Sequence, residues 1–223
     1  MPARKRTFYI VAFAALLSLA GCSAVAPASA SKSVLPHTPL EKILPTTAEY
    51  AAYNHGVSWS VRTEPEPVPT AAATPDASQL DRAASALGAE CARLLNGSLI
   101  SAGTFKSGAL QEVGYDGRDE QVVLFRAKSV SEADKVIASV TKMIASCSKN
   151  EGTGTFTEVK PGVHGALGWT TQLSPDSDPT YDSVGQRGDL VTIVNNSNSD
   201  GAAIGTLTTK HVLNHIDSLA KNK

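Results

Sequence analysis

The chain predicts an α+β fold: an antiparallel sheet with helices packed on one face and one disulfide linking two of those helices. Three observations carry this expectation. Val122-Val123-Leu124-Phe125 and the run Leu190 to Val194 are short and apolar, as strands covered on both faces are. Ser129-Val130-Ser131-Glu132 is a capping box opening a helix, in which the serine and the glutamate satisfy each other's backbone donors. Two cysteines, Cys91 and Cys147, sit on the apolar stripes of two separate helical segments. With 223 residues, 42% hydrophobic and 18% charged, the chain has material for one core of ordinary size.

The first element is a signal. Arg4, Lys5 and Arg6 precede the apolar run Phe8 to Leu19, and Leu19-Ala20-Gly21-Cys22 follows. A charged start, a greasy middle and small residues before the cut are the marks of export. The run is too short for a confident bilayer-crossing helix, which needs roughly 20 apolar residues. Leucine three positions before a cysteine, with small residues between, resembles the lipobox of bacterial lipoproteins. That resemblance implies cleavage after residue 21 and a diacylglyceryl group on the Cys22 thiol.

Residues 22–39, rich in Ala, Ser and Pro, are expected to be a flexible tether, because they bury too little apolar surface to offset ordering. Residues 40–78 form an N-terminal extension with a Pro-rich linker at Glu64 to Ser78. Within it, Leu40 to Tyr53 suggests a short helix, and Val57 to Val61 alternates as a strand does. The main body spans residues 79–223. A helix capped by Asp81 and running to Leu95 buries Ala84, Leu87, Cys91 and Leu94, and Asn96-Gly97 stops it. Strands at Leu110 to Tyr115 and Glu120 to Arg126 are joined through Asp116-Gly117, a dipeptide suited to a tight hairpin.

The helix after Ser129 turns Ala133, Val136, Ile137, Val140, Ile144 and Cys147 inward. Thr155 to Lys160 and Ala166 to Leu173 follow as strands around Pro161-Gly162. Pro175 to Pro179 is a polar loop, Asp189 to Asn195 an interior strand, and Asn196 to Gly201 a turn. A last helix from Thr206 carries Leu207, Val212, Leu213, Ile216 and Leu219. Apart from Cys22, the cysteines form an even pair in an exported chain, so Cys91 and Cys147 are expected to be oxidised to each other.

This order of elements, with Cys91 on one helix, Cys147 on another, Trp169 in a strand and an apolar strand at Val191 to Val194 before a closing helix, resembles the extracellular sensor-like domain of actinobacterial receptor serine/threonine kinases and their free-standing lipoprotein relatives. The resemblance covers about Gln79 to Leu219. It implies a compact α+β domain with a cleft for an extracytoplasmic ligand. Members of that family often carry two disulfides, whereas Cys91 and Cys147 supply one here.

Chemistry-bearing patterns are sparse. His211 and His215 stand one helical turn apart, as two metal ligands can, but no obvious third ligand accompanies them, and they are expected on the solvated face of the last helix. No metal and no cofactor are expected. Ser139-Val140-Thr141-Lys142 and Ser146-Cys147-Ser148-Lys149 both match Ser-x-x-Lys, yet lack the partner motifs of the penicillin-binding enzymes. Asp176, Asp178 and Asp182 are expected to be solvated in a loop. Trp169 is the first candidate to line a ligand site, with Tyr115 and Tyr181 beside it.

The formal charge of −1 includes Arg4, Lys5 and Arg6, so removal of the signal leaves about −4. Without clustered Lys and Arg the chain is no nucleic-acid binder. The expectation is therefore a non-enzymatic lipoprotein on the extracytoplasmic face of the cell membrane, binding a ligand or partner in the envelope. A surface hydrolase or transferase acting on cell-wall material is the alternative, and an accessory protein without a pocket is a third.

Overall fold

The computed structural model describes residues 33–222 apart from 55, 57, 69–76, 96–103, 150, 151 and 199. The signal, Cys22, residues 22–32 of the tether, most of the Pro-rich linker and the Asn96-Gly97 stop lie outside the described residues. Among the described residues, seven strands form one antiparallel sheet in the order β1-β2-β3-β7-β6-β5-β4. They are β1 (Trp59–Glu66), β2 (Phe105–Tyr115), β3 (Arg118–Ala127), β4 (Thr155–Val159), β5 (Ala166–Gln172), β6 (Thr180–Arg187) and β7 (Leu190–Asn196). The helices are α1 (Thr47–Tyr53), α2 (Ala77–Leu87), α3 (Ala89–Leu95), α4 (Val130–Cys147) and α5 (Gly201–Lys221). No helix among the described residues is long and apolar enough to cross a membrane.

The apolar run in β3 explains the layering. Val123 and Phe125 point into a core formed with α2, α3 and α4. Val122 and Leu124 point into a second core beneath Leu40, Ile43, Tyr50 and the α5 residues Val212, Leu213 and Ile216. All four are nearly or wholly buried, each contributing about 1.5–3 kcal/mol by leaving water. Because both parities of β3 are apolar, both faces need a cover. Helices therefore lie on two faces rather than the single face expected.

On the first face Cys91 and Cys147 are joined, with Cα atoms 4.8 Å apart, and we call it the disulfide face. The expected helix from Asp81 to Leu95 is two helices. Gly88, at φ +78°, breaks it, and Asp81 lies inside α2 instead of capping it. The hairpin turn is as its residues require, with Asp116 and Gly117 both at positive φ. β6 was not expected, and α5 starts at Gly201, five residues before the predicted Thr206.

Residues 59–66 complete the sheet, pairing with β2 from Trp59 opposite Tyr115 to Glu66 opposite Gly108. The end of the expected tether is also ordered onto the body. Leu35 is buried, Arg126 donates to the carbonyls of Val34 and Leu35, and Asp189 accepts from Ser33 Oγ and the Val34 amide.

Candidate functional site

Pairing register places a row of polar side chains across the whole sheet. Arg62 of β1 lies opposite Glu112 of β2, Glu112 opposite Gln121 of β3, and Gln121 opposite Asn195 of β7. Asn195 then faces Asp182 of β6, Asp182 faces Trp169 of β5, and Trp169 faces Glu158 of β4. Directly opposed residues share a face, and alternation along β3 puts this row on the disulfide face. The adjacent row towards α4, namely Leu110, Val123, Ile193, Val184 and Leu167, belongs to the apolar core. At β2, β3 and β7 the boundary between covered core and polar surface runs between these two rows, whereas at β5 Trp169 of the polar row itself belongs to the core.

Beyond the polar row, Ser60, Gly114 and Asp119 lie on the same face two residues further along their strands. They line a shallow open depression of about 220 Å³ together with Ser58 and Arg118. The depression and the row form one polar surface at the hairpin end of the sheet.

Charge on this surface is unevenly matched. Arg62 pairs with Glu112 at 2.8 Å and Arg118 pairs with Asp200. Among the described residues, Asp119, Glu158 and Asp182 have no cationic partner. Asp182 is partly buried, and Asn195 Nδ2 donates to its Oδ1 at 2.7 Å. Burial pushes its carboxyl up to about 6, with the Asn195 bond opposing. Asp182 is thus an ordered member of a strand, which corrects its expected place in a solvated loop. Beside it, Trp169 is 3% exposed, and its buried Nε1 has no acceptor.

The three aromatic candidates do not converge. Trp169 belongs to the core of the disulfide face. Tyr181 belongs to the opposite core. Tyr115 also turns to that opposite face, where its hydroxyl accepts from Asn196 Nδ2 at 2.8 Å. There Glu120, 1% exposed, accepts from Thr208 Oγ1 at 2.5 Å. Burial raises its carboxyl to about 7, against the bonds from Thr208 and Asn196.

His211 and His215 are also corrected. They face inward against α1, not outward. His211 is 9% exposed and packs against the rings of Tyr50 and Tyr53 at centroid distances of 4.9 and 4.4 Å. His215 Nδ1 lies 3.5 Å from Glu49 Oε1. Burial lowers His211 to about 4, helped by His215 and opposed by Glu49. Among the described residues no group of three His, Cys, Asp or Glu is placed to hold a metal ion.

Sequence alone did not single out Gln121, Asn195 or Glu112. Their signal is strand parity, visible only once the register between strands is known.

No protein-family model matches the chain, and no curated protein matches it. The chain is similar in structure to the extracellular domain of PknH from Mycobacterium tuberculosis, at 12% identity and a TM-score of 0.46, over 79% of this chain and 94% of that one. It is also similar to a putative uncharacterized protein, an Rv0999 ortholog, from Mycobacterium smegmatis, at 12% identity and a TM-score of 0.47, over 81% of this chain and 98% of that one. At that identity no residue's role is carried across from either protein.

Proposed function

We propose that this chain is an extracytoplasmic lipoprotein, held to the cell membrane through Cys22, whose α+β domain binds a ligand or partner in the envelope without catalysing a reaction. The polar row from Arg62 to Glu158 carries the binding part of this reading. Asp119 and Glu158 are exposed, as carboxylates ordinarily are, but Asp182 is a partly buried carboxylate without a cation beside the apolar core, which packing alone gives no reason to keep. The Cys91–Cys147 disulfide supports an oxidising compartment, and the lipobox supports the anchor. Two acyl chains give durable attachment where one does not.

The place where the tether joins the body leaves the proposed binding surface free of it. Between Cys22 and Ser33 the tether reaches at most about 40 Å. It joins the sheet where Ser33 and Val34 meet Asp189. Arg126, which donates to Asp189 and to the Val34 and Leu35 carbonyls, is five residues along β3 from Gln121, about 17 Å away. The polar row is therefore at the end of β3 away from the point where the chain from Cys22 joins the sheet.

Two experiments test the reading. Fractionation of cells should find the wild-type protein in the membrane and a Cys22→Ser variant released from it; a variant that stays with the membrane removes the lipid anchor from the proposal. NMR spectra of the exported domain with solubilised envelope material should show shifts in the side-chain amides of Gln121 and Asn195. Incubation with isolated cell wall should release no soluble fragments. Release that disappears in Asp182→Asn would replace the binding module with a hydrolase.

A further inference from the structure

The first turns of α5 are held by tertiary contacts rather than by local ones. Asp200 at the N-cap makes no capping bond with its side chain, which pairs instead with Arg118 of β3. Gly201 and Gly205, poor helix formers, stand in those turns. What fixes them is a buried polar cluster. Glu120 accepts from Thr208 Oγ1 at 2.5 Å and from Asn196 Nδ2 at 3.5 Å. Asn198 Nδ2 donates to Asn196 Oδ1, the Tyr115 hydroxyl and the Asp119 carbonyl. A Cβ on Gly205 would press on the Tyr181 ring and lie 3.1 Å from Glu120 Oε1, so the helix closes directly over the carboxyl.

Glu120 has no cationic partner among the described residues, and burial raises its carboxyl to about 7 against the bonds from Thr208 and Asn196. A carboxylate ionised there is relieved most directly by water, and α5 must draw back to admit it. The turn before α5 also reaches the depression at the hairpin. Asp200 holds Arg118 and Asn198 holds Asp119, and both of those residues line it. We propose that Glu120 is a proton-operated latch: protonated, it keeps the first turns of α5 and the turn carrying Asn198 and Asp200 closed on the sheet; ionised, it lets them loosen and frees Arg118 and Asp119 in the wall of the depression. That the latch regulates binding rests on the binding-module reading above, whereas the motion does not.

Other ionisable groups surround the cluster. Tyr115 of β2 and Tyr181 of β6 border it, as the contacts above show. From α1, Tyr50 is held above the usual phenol range by burial and by the Glu120 and Glu49 carboxylates. From α5, His211 packs on Tyr50, and His215 lies against Glu49. Burial lowers His211, so its contribution to the closed form grows as pH rises. Glu120 acts with the opposite sign, and the sign separates the two.

Amide exchange followed by NMR on the oxidised exported chain carrying Cys22→Ser tests the latch. Gly205, Thr206 and Thr208 should exchange through local openings that low urea leaves unchanged, whereas Leu124 in the middle of the sheet should follow global unfolding. Corrected for intrinsic rates, protection at the three should fall roughly fiftyfold from pH 5 to 7.5 and then level off, since the proton is bound near 7 in the closed form and near 4.5 in the open one. The backbone amides of Arg118 and Asp119 should shift over the same range, and Glu120→Gln should abolish both changes. If that variant does not fold, Thr208→Val serves instead: it removes a donor from the carboxylate, so the fall should continue above pH 7.5. Levelling off where the wild type does would overturn the latch. So would exchange in α5 that matches Leu124 in rate and urea dependence, or a pH dependence that survives Glu120→Gln. Arg118 and Asp119 amides that stay in place would overturn the link to the depression. Envelope material that shifts Gln121 and Asn195 equally at pH 5.5 and 7.5 would overturn the regulation of binding. No shift at either pH, with protection still falling, would remove the binding reading and leave the latch.

Discussion

Arg126 and Asp189 form an ion pair at 3.1 Å with side chains only 5% and 3% exposed, and the start of the folded chain is tied to both. Asp189 is pressed upward by burial, but bonds from Ser33, Val34 and Arg126 prevail and hold its carboxyl below the usual range. Removing one member of such a pair leaves an uncompensated charge inside. Arg126→Met should therefore cost about 3–5 kcal/mol in chemical denaturation. Hydrogen exchange should speed up at Thr38, whose amide bonds to the Leu35 carbonyl. A variant as stable as the wild type, with Thr38 still protected, would show that the Arg126–Asp189 pair does not hold residues 33–38 on the body.

The docking of residues 33–38 was invisible in the sequence because their composition is that of a tether; only Leu35 and the distant Arg126 and Asp189 distinguish them. The strands with apolar alternation were legible, as were the Asp116-Gly117 hairpin and the cysteine pair. β6 was not. Its Thr-Tyr-Asp-Ser-Val-Gly-Gln-Arg lacks apolar periodicity because its inward positions under α5 are shaped for close approach. Ser183 bonds Thr209 at 2.6 Å, and Gly185 makes room for Leu213. The polar row shares this difficulty, for each strand discloses its own two faces while the offset between strands is set by turns and packing.

α5 approaches β6 so closely that one hydrogen decides the fit. A Cβ on Gly205 would lie 2.2 Å from the Tyr181 ring. Alanine is normally better than glycine in a helix by about 1 kcal/mol. Here Gly205→Ala should instead destabilise by about 1–3 kcal/mol through overpacking. Gly185→Ala should cost less, because the atoms it meets are the terminal methyls of Leu213. Equilibrium urea unfolding checks both, and a stabilised Gly205→Ala would mean that α5 sits farther from the sheet.

Glu120 and His211 should pull the pH dependence of stability in opposite directions. Glu120 binds its proton more tightly folded, near 7, than unfolded, near 4.5. Its contribution is complete below 4.5, falls as pH rises and is gone above 7. His211 binds its proton less tightly folded, near 4, than unfolded, near 6.5. Its contribution is complete above 6.5 and falls as pH drops towards 4. Glu120→Gln should thus flatten the loss of stability between pH 5 and 7.5, a loss on the order of 2–3 kcal/mol. His211→Phe should flatten the loss between pH 6.5 and 4.5. Wild-type and variant curves that run parallel across those windows would contradict the burial that shifts both groups.

The disulfide bears on two questions, stability and compartment. Cys91 and Cys147 are 3% and 0% exposed and separated by 56 positions. Closing a loop of that length restricts the unfolded chain by about 4 kcal/mol at room temperature in the entropy model. For a domain of this size, that is a melting temperature roughly 10 °C higher. Because the bond is inaccessible in the folded state, reductant added to the native protein should act slowly. A Cys91→Ala, Cys147→Ala double variant removes that kinetic obstacle and leaves a small apolar side chain at each site. It should melt lower by the stated interval in calorimetry, and the oxidised wild type should keep its melt in mild reductant over short incubations. The interval separates two roles for the bridge. A drop of the expected size means that α3 and α4 depend on it for their mutual position on the sheet, and so does the boundary between core and polar row. A drop near zero means that Val136, Val140, Met143 and their neighbours hold α4 in place without it, and the bridge then reports only where the protein was oxidised.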